Sequence, residues 1–114
     1  MTPAAQVIDE QLAAYNARDL PRFVATYAED CEIFRPPAAE PVLRGRAALA
    51  GFYAAQRFCH AGLRAEILGR HVTGNLVADH ERVHGLPQGL VELFAVYDVA
   101  DGLIRRAWLF APAR

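Results

Sequence analysis

The sequence predicts an α+β domain in which a curved, mainly antiparallel sheet wraps around three helices from the N-terminal half, leaving a central pocket. Apolar residues recur at helical spacing between Ala5 and Tyr27 and again from Arg46 to His60. From Leu63 onward the period falls to two, and turn signals at Gly74-Asn75, Gly85 to Gly89 and Asp101-Gly102 divide the second half into strand lengths. Helices followed by a meander argue for antiparallel pairing rather than parallel α/β alternation. With 114 residues, 54% of them hydrophobic, the chain has material for one core, and a single domain over residues 1–114 is expected.

The first helix places Ala5, Ile8, Leu12 and Tyr15 on one side and ends near Asn16. Asp19 is a good N-cap for a second helix with Pro21 in its first turn, and Leu20, Phe23, Val24 and Tyr27 fall at i, i+3, i+4 and i+7. Cys31 to Arg35 reads as a short strand stopped by Pro36-Pro37, with a loop from Pro36 to Pro41. The alanine-rich run from Arg46 to His60 forms the third helix, its buried face marked by Leu49, Phe52 and Tyr53. Four strands follow: Leu63, Ala65 and Ile67 alternate with Arg64 and Glu66, then come Leu76 to His84, Leu90 to Val99 and Leu103 to Phe110. Asp101-Gly102 is a strong hairpin signal between the last two.

Composition removes several functions. Twelve basic residues against 13 acidic ones leave a net charge of -1, which gives nucleic acid or an anionic membrane surface no electrostatic reason to bind. The chain has no Ser and no Lys, so a serine nucleophile, a Schiff-base lysine and a phosphate-binding loop with its lysine are all excluded. His, carboxylate, Tyr, Cys and Arg remain. Cys31 and Cys59 stand far apart, in no CxxC spacing, and are expected to be reduced. Met1 to Gln6 lacks the basic region and apolar run of a signal peptide, no stretch approaches the ~20 apolar residues of a membrane helix, and a cytoplasmic protein is expected.

Tyr15-Asn16-Ala17-Arg18-Asp19-Leu20, Phe23 to Asp30, Leu43-Arg44-Gly45-Arg46-Ala47-Ala48-Leu49 with Phe52-Tyr53, and the terminal hairpin through Asp101-Gly102 to Trp108 occur in an order that resembles the nuclear transport factor 2-like superfamily. The nearest similarity is to its SnoaL-like, ketosteroid isomerase-like and polyketide cyclase-like branch, and it covers nearly the whole chain. The resemblance implies a cone-shaped fold with an apolar pocket, a small-molecule ligand, and frequently a homodimer. In the isomerase branch it also implies a tyrosine on the first helix, a carboxylate base at the end of the first strand and a second acid on the penultimate strand. Counting along this sequence puts Gln11, Arg35 and Ala95 at those three positions, so steroid isomerisation by that route is not expected.

His80-Glu81-Arg82-Val83-His84 matches the H-E-x-x-H signature of zinc hydrolases. That chemistry needs a helix, where residues four apart lie about 6 Å from one another and two imidazoles converge on one metal. Flanking glycines and Pro87 bound a segment of strand length instead, which sets His80 and His84 roughly 13 Å apart and turns Glu81 to the other face. A zinc hydrolase is therefore the remote alternative, and no metal or other cofactor is expected.

If Ala95 and Tyr97 face inward, matching parity presents Ala78, His80, Arg82 and His84 to the pocket, with Arg35 entering from the first strand. His80 is then the candidate general acid or base and Tyr97 a hydrogen-bond donor. Arg35, Arg82 and His84 would bind the polar end of a ligand, and Leu12, Phe23 and Phe52 would supply apolar wall. A one-residue slip would instead turn Asp79 and Glu81 inward and expose the His/Arg set. A plainer reading stands beside each: Arg82 pairs on the surface with Asp79 or Glu92, Tyr97 and Trp108 are core or interface aromatics, and Tyr15, Tyr27 and Tyr53 are buried helix edges. Two function classes follow, a cofactor-free acid-base enzyme of the isomerase, cyclase or hydratase kind acting on a small apolar carbonyl compound, and a non-catalytic binding or dimerisation module. The homodimer would form on the outer face of the sheet through Phe94, Val96, Trp108 and Phe110.

Overall fold

The computed structural model describes residues 3–112, in which three helices and six strands follow the order α1 (Pro3–Asn16), α2 (Leu20–Val24), β1 (Tyr27–Phe34), β2 (Leu43–Arg44), α3 (Gly45–Gln56), β3 (Arg64–Thr73), β4 (Leu76–His84), β5 (Val91–Ala100) and β6 (Leu103–Phe110). The strands form one curved, unclosed sheet in the order β2-β1-β6-β5-β4-β3, antiparallel throughout except where β1 lies parallel to β6. The expected α+β architecture is therefore present, and the helices pack on its concave side.

Two local expectations are corrected. Leu20, Phe23, Val24 and Tyr27 do not share a helix, because α2 stops after five residues and Tyr27 opens β1. Asp19 does cap it, accepting from the Arg22 amide at 3.2 Å, but the Thr26 hydroxyl donates to the Phe23 carbonyl at 2.7 Å and closes the turn. The Ile104 amide donates to the Thr26 carbonyl at 2.8 Å, so β6 draws the chain into the sheet before the helix can extend. Likewise α3 ends at Gln56 rather than His60. The Phe58 amide bonds back to the Tyr53 carbonyl at 2.8 Å, and the turn this makes drives the Phe58 ring into the core.

That core is aromatic at the closed end. Fully buried Phe23 meets the rings of Tyr15, Tyr27, Tyr53 and Phe58 at centroid distances of 5.9, 5.3, 4.7 and 5.3 Å. Polar contacts tie α1 to the sheet. Asn16, the last residue of α1, donates to the Ala65 carbonyl at 3.1 Å and accepts from the Ala65 amide at 2.7 Å, tying the helix to β3 as a strand partner would. Gly85 (φ +88) turns the chain from β4 against Gly62, whose carbonyl oxygen would lie 2.2 Å from any added Cβ.

The face of each strand is fixed by register. Across β4 and β5, Val77 pairs with Tyr97, Asp79 with Ala95, Glu81 with Leu93 and Val83 with Val91, and all of these point to the concave side. A bulge in β3 shifts the pairing between Ile67 and Gly69, so Ile67 lies opposite Glu81 and Arg70 opposite Asp79. Without that extra residue Arg70 would face outward.

Candidate functional site

Between α1, α3 and the concave sheet lies a cavity of about 70 Å³. α1 presents Gln11, Leu12 and Tyr15 to it; Tyr53 comes from α3, Arg57 from its end and Arg35 from just beyond β1; β4 and β5 supply Asp79, Glu81 and Tyr97. Leu93, Leu109 and Val83 complete an apolar wall.

Tyr97, Arg35 and Leu12, expected at the site from the sequence, are all here. His80, Arg82 and His84 are not. The parity assumed for Ala95 and Tyr97 was right, but their cross-strand partners are Asp79 and Val77, so the His/Arg set projects from the opposite, convex face. There His80 Nε2 lies 2.6 Å from Glu92 and its ring stacks on Phe94, Arg82 Nε reaches Glu92 at 3.4 Å, and His84 Nε2 lies 3.0 Å from Glu66. Phe23 lies in the closed aromatic core beneath the cavity, and Phe52 packs edge-on against Tyr53 under the Arg57 guanidinium instead of lining it. β4 is a strand over the whole HERVH segment, and no three His, Cys, Asp or Glu side chains gather to hold a metal among the described residues.

Asp79 is almost completely buried and is neutralised by a fork from Arg70, with Nε to Oδ1 at 2.6 Å and Nη2 to Oδ2 at 2.9 Å, while Arg70 Nη1 reaches Asp9 of α1 at 2.6 Å. Glu81, two residues on and on the same face, has no such partner. Its carboxyl makes no hydrogen bond or ion pair with any described residue, and burial, reinforced by the Asp79 charge and opposed by Arg70, pushes it up to about 7. Tyr15, Tyr53 and Tyr97 line the same cavity, and the Glu81 charge acts on their hydroxyls and on that of Tyr27. Burial raises all four hydroxyls above the ordinary tyrosine value, which keeps them as donors. The Tyr27 hydroxyl accepts from Gln11 at 3.1 Å; the hydroxyls of Tyr15, Tyr53 and Tyr97, residues each more than nine-tenths buried, have no hydrogen-bond partner among the described residues.

In such a cavity the ionised carboxyl can take a proton from carbon, and the phenol donors can hold the oxyanion that results. Sequence reasoning weighed Glu81 as the acid of the H-E-x-x-H signature and, for the pocket, only as the product of a register slip. A signal was available, since Val77 and Val83 share the parity of Asp79 and Glu81, and two valines mark that side as the buried one. Tyr15 and Tyr53 were read as helix edges; they are that, with their hydroxyl ends at the cavity.

A cone-shaped sheet closed by an N-terminal helix over such a cavity defines the class, and the sequence agrees with it. Residues 8–107 match the SnoaL-like domain, and the chain belongs to that family. No match was found among curated proteins. Among solved structures, a candidate ketosteroid isomerase from Kribbella flavida superposes with a TM-score of 0.82 at 21% identity, over 98% of this chain and 79% of its own. A candidate polyketide cyclase from Sinorhizobium meliloti gives 0.77 at 22% identity over 91% and 93% of the two chains. A computationally designed 17-OHP binder gives 0.82 at 17% identity over 100% and 93%. At such identities the likeness is one of fold. No helix among the described residues is long and apolar enough to cross a membrane.

Proposed function

We propose that this chain is a cofactor-free acid-base enzyme of the isomerase or cyclase kind, acting on a small apolar carbonyl compound, with Glu81 in the role the sequence suggested for His80. The observation that carries the reading is the unpartnered Glu81 carboxyl in the cavity. Its carboxylate takes the proton from the carbon beside the substrate carbonyl, the electron pair moves onto the carbonyl oxygen, and Tyr97 donates to the enolate with Arg35 in support. Return of the same proton to another carbon completes an isomerisation; attack of the enolate carbon on a second carbonyl, followed by protonation of the new alkoxide, completes a cyclisation. The SnoaL-like fold and its isomerase, cyclase and designed-binder neighbours support a small-molecule ligand.

The sequence resemblance puts Gln11, Arg35 and Ala95 at the positions the steroid isomerase route would need, so no isomerisation of a 3-keto-Δ5 steroid is expected. The cavity size favours a second reading. At about 70 Å³ it lies far below the roughly 300 Å³ at which drug-sized pockets begin, as a binding module filled mostly by its own side chains would show.

Solvent deuterium exchange into a panel of small ketones and β-keto esters, followed by NMR, separates the two. Exchange by the wild type that drops about 100-fold in Glu81→Gln and persists in His80→Ala is the expected result. Binding of the same compounds with no exchange in any variant leaves the binding module as the function.

A further inference from the structure

Among the described residues five guanidiniums pair with a carboxylate, Arg22 with Glu10, Arg44 with Glu40, Arg70 with Asp9 and Asp79, Arg82 with Glu92 and Arg106 with Glu32, while Arg18 and Arg46 reach backbone carbonyls instead. The two arginines lining the cavity are different. The Arg35 guanidinium makes no hydrogen bond or ion pair with any described residue, and that of Arg57 makes only a 3.0 Å bond from Nη1 to the Gln56 carbonyl while its Cζ lies 5.1 Å from the centroid of Phe52. Both line the cavity together with Tyr53, and both act electrostatically on its hydroxyl.

Two positive charges therefore line one cavity, neither of them paired with a carboxylate. The other charged groups in reach are few. Asp79 on β4 is cancelled by Arg70 of β3, which also holds Asp9 of α1; Tyr15, Tyr53 and Tyr97, from α1, α3 and β5, are neutral donors; Glu81 of β4 is the one remaining acid. With Glu81 protonated the cavity has two uncompensated positive charges, and with Glu81 ionised it has one. In either state it is short of negative charge. Leu12, Leu93 and Leu109 offer only apolar surface to the rest of an occupant.

We propose that the occupant is a monoanion, a small apolar carboxylate whose acid group is held by Arg35 and Arg57 and whose tail lies along the leucine wall. This deepens the enzyme reading and rests on it, since it assigns the substrate a second functional group besides its carbonyl. A planar guanidinium pair suits a carboxylate, and a buried charge-assisted bond is strong enough to choose between an acid and its neutral isostere. Because the anion and the Glu81 carboxylate share one cavity they repel, so the anion binds best when Glu81 holds its proton, and proton abstraction proceeds from the fraction of complexes in which Glu81 is ionised. Binding near neutral pH therefore takes up protons, and affinity falls as pH rises from 6 to 8.

Calorimetric titration with hexanoate, hexanamide and heptan-2-one tests this on the unaltered protein. Hexanoate is expected to bind at least about tenfold more tightly than either neutral compound at pH 6, with proton uptake measured by repeating the titration in buffers of different ionisation heat. The preference for the acid should vanish in the Arg35→Gln, Arg57→Gln double variant, and the proton uptake should vanish in Glu81→Gln while acid binding remains. If hexanamide or heptan-2-one binds as tightly as hexanoate, the anion assignment is wrong and the pocket reading stands. If none of the three binds, both fall.

Discussion

Glu81 shows how burial alone changes what a common residue does. A carboxyl that ionises at its ordinary 4.5 in the unfolded chain holds its proton to about pH 7 when folded, because the cavity gives its charge no partner. The sign for stability follows. Between those two values the folded state keeps a proton the unfolded state has lost, so stability from this group is full below about pH 4.5, declines as pH rises to about 7 and stays low above it. The difference corresponds to about 3 kcal/mol. Glu10, Glu66 and Glu92 act the other way, held low by Arg22, His84 and His80, and they lose their contribution on the acid side. Chemical denaturation of Glu81→Gln is thus expected to show a gain of ~1 to 3 kcal/mol over the wild type at pH 8, shrinking towards zero at pH 4. An equal difference at both pH values would mean that Glu81 is not held protonated by the fold.

At the scale of single elements, β3 and β4 decide what the cavity contains. The bulge between Ile67 and Gly69 brings Arg70 inward against Asp79, and the pair then ties the sheet to Asp9 on α1. Removing one partner of a buried ion pair leaves the other charge unpaired, which costs about 3 to 5 kcal/mol, whereas Asp9 is half exposed and should matter by less than about 1 kcal/mol. Asp79→Ala should therefore be far more destabilising than Asp9→Ala in urea unfolding, and equal losses would contradict the placement of this network. Elements with sharp punctuation were legible in the sequence. β4 and β6 have the expected bounds, and the Asp101-Gly102 turn, with φ of 54° and 75°, has the backbone its residues favour. The face of β4 was harder, because its two sides differ little in polarity and Arg70 reaches Asp79 only through a bulge that no local pattern announces. The end of α2 was hidden for a similar reason: the Thr26 to Ile104 bond that captures the chain comes from 78 positions downstream.

For the molecule as a whole, the two faces of one sheet have separate tasks. The concave face holds the cavity; the convex face holds the stacked pair Phe34 and Trp108 at 5.7 Å and exposes Phe94 and Phe110 by 55% and 43%. Large exposed rings beside the His80-Glu92-Arg82 cluster fit a polar-rimmed contact, and we propose that a second copy covers this face. Light scattering at micromolar concentration should give twice the chain mass, and Phe94→Glu with Phe110→Glu should give the chain mass itself while Glu81 still titrates as before. A monomeric wild type would remove the dimer without touching the cavity. The resemblance of the sequence to SnoaL-like proteins was legible enough to predict this shape, and residues 8–107 match that family; the identity of the inward acid was not, since family likeness pointed to positions where this chain has Gln11, Arg35 and Ala95. The most direct measurement is a titration of the Glu81 side-chain carbon by NMR on glutamate-labelled protein, assigned with Glu81→Gln. A midpoint near 7 is expected from its burial among the phenols, and a midpoint near 4.5 would show an ordinary solvated carboxylate with no part in proton transfer at neutral pH.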